Sequence, residues 1–190
     1  TMLAVEKARR LADEGFEVLL VCFNRALAED LVRRVGEGVS VMHFHGLCRE
    51  MVKEAGFTLR SVTDEREFYD RILPDALLQA IDTLGPQFDA IVVDEGQDFH
   101  EAWWLPLMSL LREAEQGILY VFFDDNQNLY HRFLLPPGIV DEQPFPLIEN
   151  CRNTREIHKV VTAFHHDGEH LRCRGPVGRP AIIQYYGVTY

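Results

Sequence analysis

The sequence predicts an α/β fold in which a parallel β-sheet has helices on both faces. Apolar segments of strand length alternate along the chain with segments of helical periodicity, which is the order that such folds require. In addition, residues 18–23 and 90–93 contain no polar side chain, as expected of parallel strands that are buried on both faces. The chain has 190 residues, 47% of them hydrophobic, which suits one packed domain with or without the beginning of another.

The first half of the chain holds alternating helices and strands, followed by an insertion. Apolar residues near helical spacing predict a helix over residues 1–14. Strands are predicted over residues 16–23 and 39–44, with a helix over residues 25–35 between them. Residues from about 46 to 84 contain two amphipathic helical stretches and no strong strand, so they predict a small helical insertion.

The alternation returns in the second half. Strands are predicted over residues 90–93, 118–123 and 145–148, and helices over residues 101–115 and 154–164. Residues 172–180 are rich in glycine and proline and indicate a linker. We therefore predict a first domain over residues 1–171, with the insertion at about 46–84, and a linker with the start of a truncated second domain over residues 172–190.

The composition argues against several classes of protein. A formal charge of −11 disfavours binding to nucleic acid by bulk electrostatics, although it leaves room for a local groove. The four cysteines form no C-x-x-C pair, which indicates free thiols in a reducing cytoplasm rather than a disulfide framework. No apolar run approaches the roughly 18 residues of a membrane span, so a soluble, cytoplasmic protein is expected.

The histidines raise the alternative of a zinc site. His43 and His45 would share a face of the predicted strand, but no second ligand pair has the spacing of a tetrahedral zinc site. The other residues considered as ligands are Cys48, His165, His166, His170 and Cys173. We therefore expect no structural metal.

The strongest signal for chemistry lies at the end of the strand predicted over residues 90–93, which runs into Asp94 and Glu95. Ligands bind outside the carboxyl ends of strands in open α/β sheets. There one carboxylate can hold a hydrated Mg²⁺ while its neighbour polarises an attacking water. An isolated Asp-Glu pair is more often an acidic turn after a core strand, but Gln97 and Asp98 favour the functional interpretation.

These residues belong to a longer pattern. The sequence D-E-G-Q-D-F at 94–99 resembles the Walker B motif, D-E-x-Q-D-F, of superfamily 1 helicases in the UvrD/Rep group. Residues 119–130 resemble that family's third motif, an apolar strand ending in G-D-x-x-Q-x-I-Y. Asp124 and Gln127 match its polar positions, whereas Phe123 replaces the glycine.

Three more segments follow the family's order. Residues 146–154 are similar to the fourth motif, L-x-x-N-Y-R-S, with Arg152 matched and Cys151 in place of the tyrosine. Residues 21–28 resemble the strand-to-helix turn that touches single-stranded DNA, and residues 43–48 resemble T-F-H-S/G. The resemblance implies nucleic-acid contacts by Phe23, Asn24 and His45. From the residues themselves, Asn24 can equally be a helix cap and His45 a core histidine.

The resemblance implies a P-loop NTPase fold, with a RecA-like first motor domain over residues 1–171, and ATP and Mg²⁺ as cofactors. Glu95, Gln127 and Arg152 would be catalytic, with Glu95 acting on the water and the other two sensing the γ-phosphate. Asp94 and Thr1 would hold Mg²⁺. Thr1 would be the last residue of the Walker A loop, whose glycines and lysine would precede it.

The implied activity is an ATP-dependent helicase or translocase that couples hydrolysis to movement on nucleic acid, DNA more than RNA. Without the Walker A lysine, the 190-residue chain by itself is expected to be inactive. The alternative is a regulatory P-loop ATPase or a nucleic-acid-binding switch that does not unwind. Trp103 and Trp104 follow the carboxylates and can stack bases, but we predict that they are core residues.

Overall fold

The structure is a computed structural model that describes residues 1–59, 62–113, 116–124, 144–163 and 171–182. Contacts divide the chain into two compact units, Thr1–Ile139 and Val140–Tyr190, and each is described by itself. Within the described ranges, no helix is long and apolar enough to cross a membrane.

A four-stranded, wholly parallel sheet forms the centre of the first unit. Its strands are β1 (Val18–Cys22), β2 (Val39–His43), β3 (Ala90–Asp94) and β4 (Ile118–Val121), in the spatial order β2-β1-β3-β4. Every residue of β1 and β3 is buried, which is why both strands are apolar up to Asp94, the last residue of β3. The predicted α/β class with a parallel sheet is therefore confirmed.

Alternate residues of the two central strands face two separate hydrophobic cores. Leu19 and Val21 of β1 belong to one core, together with the insertion and the helix that follows β3. Leu20 belongs to the other core, with α1 (Met2–Asp13) and α2 (Arg25–Val35). Helices thus cover both faces of the sheet, as predicted. Polar side chains therefore lie at the ends of the strands.

Most of the segment predicted as an insertion, at about 46–84, is helical. Helix α3 (Phe44–Glu54) begins directly after β2, so Phe44 is helical rather than the last residue of a strand. The chain then forms α4 (Glu65–Glu67), a π-helical turn (Phe68–Ile72) and α5 (Leu73–Leu84). His43 and His45 consequently lie in different elements, which corrects the expectation that they share a strand face.

Helix α6 (Glu101–Met108) is shorter than the predicted 101–115. The backbone carbonyl of Leu110 accepts hydrogen bonds from the amides of Gln87 and Phe88, and the Arg112 amide donates to the Phe88 carbonyl. These bonds place residues 110–112 beside the segment that leads into β3. The helix ends because the residues after it form backbone hydrogen bonds with residues 87–88 instead of continuing the helical pattern.

The second unit contains a two-stranded parallel ladder, β5 (Glu149–Asn150) with β6 (Arg172–Cys173), and α7 (Arg155–Thr162). The predicted strand over residues 145–148 is not formed, because pairing begins at Glu149. Thr154 caps α7 by accepting from the Ile157 amide at 3.4 Å. The domain boundary at 171/172 remains a prediction.

Candidate functional site

Asp94 ends β3, the strand between β1 and β4. Its side chain is only 1% exposed, and Oδ1 lies 3.0 Å from the main-chain nitrogen of Thr1, the residue before α1. The other oxygen, Oδ2, is buried and has no hydrogen-bond partner within the described part of the chain. A buried carboxylate oxygen without a donor is costly, and a bound cation would remove that cost.

Glu95 turns away from the strand in a left-handed conformation, with φ 55° and ψ 49°, which is uncommon for a residue with a side chain. Both of its carboxylate oxygens have a donor. The Thr1 hydroxyl donates to Oε1 at 3.3 Å, and the side-chain nitrogen of Gln97 donates to Oε2 at 2.7 Å. Thr1, Asp94 and Glu95, three of the predicted site residues, therefore lie together.

Gln97 fixes the orientation of the Glu95 carboxylate from a buried position. While its Nε2 donates to Glu95, its Oε1 accepts from the amide of Asp124 at 3.0 Å, just beyond β4. The turn also lies tight on β4, because a Cβ at Gly96 would come within 2.7 Å of Val121 Cγ1. No role was assigned to Gln97 from the sequence. Its oxygen accepts from a residue that follows the neighbouring strand, and a local sequence pattern does not show which strands are neighbours.

The electrostatics of this end of the sheet are negative. Burial first, and then the carboxylates of Asp94 and Glu95, raise the pKa of the neighbouring Cys22 thiol to about 12. Burial and Glu95 likewise raise the pKa of Asp98. Apart from the ammonium group of Thr1 beside Asp94, no cationic group in the described ranges forms an ion pair with these three carboxylates. The arrangement can therefore stabilise a cation.

The donor set fits Mg²⁺ better than zinc. Mg²⁺ takes oxygen ligands, keeps several waters and uses one or two carboxylates with substrate phosphates; the Asp94 carboxylate and the Thr1 hydroxyl are oxygen ligands of this kind. The described residues contain no group of three or more histidine, cysteine or acidic side chains that could hold a metal by themselves. His165, His166 and His170 lie outside the described residues.

The two remaining predicted catalytic residues are Gln127 and Arg152. Gln127 lies outside the described residues. Arg152 belongs to the second unit, in the turn between β5 and α7, where Asn150 Oδ1 accepts from the amides of Arg152 and Asn153, both at 3.1 Å. Asn150 Nδ2 also lies 3.4 Å from Nδ1 of the buried His158. Asn150 thus shapes the turn that carries the exposed Arg152.

The predicted nucleic-acid residues Phe23, Asn24 and His45 do lie together, along a groove of about 560 Å³. Asn24 is an N-cap, because its Oδ1 accepts from the Leu27 amide at 3.1 Å. Phe23 is 40% exposed and stacks on Trp103, with ring centroids 5.6 Å apart. Trp103 and Trp104 are 3% and 1% exposed, so the prediction that they are core residues is confirmed.

His45 combines features of a core histidine with a place in the groove. Its ring contacts the rings of Trp103 at 4.7 Å and Tyr69 at 4.8 Å, and its Nε2 is buried without a partner among the described residues. Burial lowers the pKa of His45 to about 4, against a smaller opposing effect of a hydrogen bond with the Tyr69 backbone. The ring is therefore neutral at pH 7.

Five residues that line the groove were assigned no nucleic-acid contact from the sequence. They are Arg25, His43, Gly46, Arg49 and Tyr69. Arg49 follows His45 by one helical turn, and residues four apart share a helix face. That spacing would have identified Arg49, had the start of α3 at Phe44 been predicted.

No protein-family model, no curated protein and no solved structure matches this chain.

Proposed function

We propose that this chain contributes the first RecA-like, P-loop NTPase motor domain of a superfamily 1 helicase or translocase, which couples ATP hydrolysis to movement along nucleic acid. The observation that carries the proposal is the meeting of Thr1, Asp94 and Glu95 at the carboxyl end of β3, one of the two central parallel strands. This is the edge at which open α/β sheets bind ligands.

In this proposal, Asp94 and the Thr1 hydroxyl hold Mg²⁺, and Glu95 orients or activates the attacking water. Bound Mg²⁺ neutralises charge on the terminal phosphates of ATP. Two observations within the described residues support the cation: Oδ2 of Asp94 has no hydrogen-bond partner, and no lysine or arginine side chain pairs with Asp94, Glu95 or Asp98. The hydrogen bonds from Thr1 and Gln97 hold the Glu95 carboxylate in one orientation, which supports its proposed role in orienting the water. From the resemblance, we also assign Gln127 and Arg152 to the γ-phosphate.

The test is steady-state ATP hydrolysis by the full-length gene product, with Mg²⁺ and an oligonucleotide present. Glu95→Gln is expected to lower turnover at least 100-fold, the order of a lost general base, while ATP binding measured with a fluorescent analogue stays within about threefold. Glu101→Gln, an exposed glutamate in the first turn of α6, removes the same charge and is the control.

Turnover by Glu95→Gln equal to that of the Glu101→Gln control would refute the assignment of Glu95. Strand displacement by the same preparation separates the two forms of the proposal. Unwinding identifies a helicase, whereas ATP hydrolysis without unwinding identifies a translocase or switch.

A further inference from the structure

The groove beside Phe23 has a positively charged side chain that no predicted motif contains. The candidates for positive charge along it are His43, His45, Arg25 and Arg49. Burial lowers the pKa values of both His43 and His45, which favours the neutral form of both rings at neutral pH. Arg25 pairs with Glu29, at 3.0 Å between Nε and Oε1. Arg49 is the cation that remains.

Arg49 is held in place by aromatic side chains instead of by a carboxylate. Its Nη2 donates to the Tyr69 hydroxyl at 3.1 Å, and its guanidinium carbon lies 5.4 Å and 5.7 Å from the ring centroids of Phe68 and Tyr69. No carboxylate of the described ranges forms an ion pair with it. Such an arginine is held in position before a ligand binds, and its remaining N–H groups are available to an anion.

The insertion itself provides this arrangement. Arg49 lies on α3, and the π-helical turn Phe68–Ile72 carries both aromatic rings. Tyr69 also contacts His45, with ring centroids 4.8 Å apart, so the arginine is fixed next to the groove wall. Asp70 acts electrostatically on His45, but it forms no ion pair with Arg49.

We propose that Arg49, positioned by Tyr69, binds a backbone phosphate of single-stranded nucleic acid while the exposed face of Phe23 stacks a base. The pairing of a guanidinium with a phosphate and of an aromatic ring with a base is how proteins hold single strands without reading sequence. The chain carries a net charge of −11, which disfavours binding by bulk electrostatics and gives a local cation such as Arg49 more weight. The inference rests on the nucleic-acid part of the proposed function and not on ATP hydrolysis.

The test is fluorescence anisotropy of labelled oligo-dT and oligo-U of about twelve nucleotides, within the range that one binding module covers. Arg49→Gln is expected to weaken binding about tenfold or more, and to reduce the slope of log K against log salt by about 0.7, the value for one phosphate on a single strand. Arg9→Gln is the control, because this exposed arginine lies on α1, which belongs to the other core.

Two further variants separate charge from geometry. Tyr69→Phe keeps the ring and loses the hydroxyl, so we expect weaker binding, by about two- to fivefold, with an unchanged salt slope. Arg49→Lys keeps the charge and loses the stacked plane, so binding should weaken with the slope retained. If circular dichroism shows that Arg49→Gln does not fold, Arg49→Lys is used for the test instead.

The outcomes distinguish this inference from the proposed motor function. Binding of oligo-dT, of oligo-U or of both, lost in Arg49→Gln and not in Arg9→Gln, supports it and identifies the nucleic acid. Oligonucleotide binding without any ATP hydrolysis by the full-length protein supports it while contradicting the motor. No binding by the wild type, or equal binding by the two glutamine variants, overturns it.

Discussion

The amide of Gln97 joins two parts of the candidate active site that come from different strands. Its nitrogen donates to Glu95 and its oxygen accepts from the Asp124 amide, and the side chain is 7% exposed. A buried hydrogen bond to a charged group contributes about 1.5–3 kcal/mol. Gln97 therefore positions Glu95 and connects it to the segment after β4.

We predict that Gln97→Leu lowers the kcat for ATP hydrolysis by the full-length protein about 10- to 100-fold, with the KM for ATP within about threefold. The reason is that Glu95 loses its orienting donor while the phosphate-binding groups are retained. Gln97→Glu keeps the acceptor for Asp124 and loses the donor to Glu95, so a comparable fall is expected. A rise in KM with unchanged kcat would show that Gln97 acts in nucleotide binding instead.

The sequence predicted some site residues and missed others for a physical reason. Asp94 and Glu95 could be predicted, because a continuous apolar run identifies the strand and the site lies at its end. The bond from Gln97 to Asp124 depends on β4 lying directly beside β3, and no local pattern specifies that neighbour. Arg49 was missed because the strand was predicted to continue through Phe44, which is where α3 begins.

Among the elements, α6 shows most directly how one helix links the two candidate sites. It begins at Glu101, three residues after Asp98, and its Trp103 stacks on both Phe23, which lines the groove, and Phe44 of α3. Sequence patterns predicted this helix and the burial of its tryptophans. They did not predict its end at Met108, because that depends on the backbone hydrogen bonds between residues 110–112 and residues 87–88.

Adjacent residues of α6 provide a matched test of its packing. Trp104 is 1% exposed and Leu105 is 67% exposed. We predict that Trp104→Ala lowers the free energy of unfolding by about 3–5 kcal/mol, whereas Leu105→Ala changes it by no more than about 0.5 kcal/mol. Urea denaturation followed by circular dichroism measures both. Equal effects of the two substitutions would contradict the placement of the helix against the core.

At the scale of the whole molecule, stability can be followed one unit at a time. The chain has two tryptophans, and both are buried in the first unit. Their fluorescence therefore reports the unfolding of that unit and not of Val140–Tyr190. Trp103 also contacts the ring of His45, so the fluorescence is suitable for testing how protonation of this histidine affects folding.

His45 is expected to make the first unit less stable in mild acid. Its pKa is about 4 when folded and 6.5 in an unfolded chain, so between these values the unfolded chain binds the additional proton and stability falls as pH falls. The full shift corresponds to about 3 kcal/mol. Because the ring is partly exposed, screening by solvent reduces this to about 1–2 kcal/mol.

Other groups titrate in the same experiment, and a variant separates them from His45. The pKa of His43 is also lowered, that of Asp98 is raised, and those of Asp30 and Asp89 are lowered from 3.8, so the last two act below the His45 window. We predict that His45→Phe, which keeps a ring among the aromatic side chains, removes about 1–2 kcal/mol of the loss between pH 6.5 and 4. Urea titrations at each pH measure it, and an equal loss in the variant would mean that His45 is not buried in its neutral form.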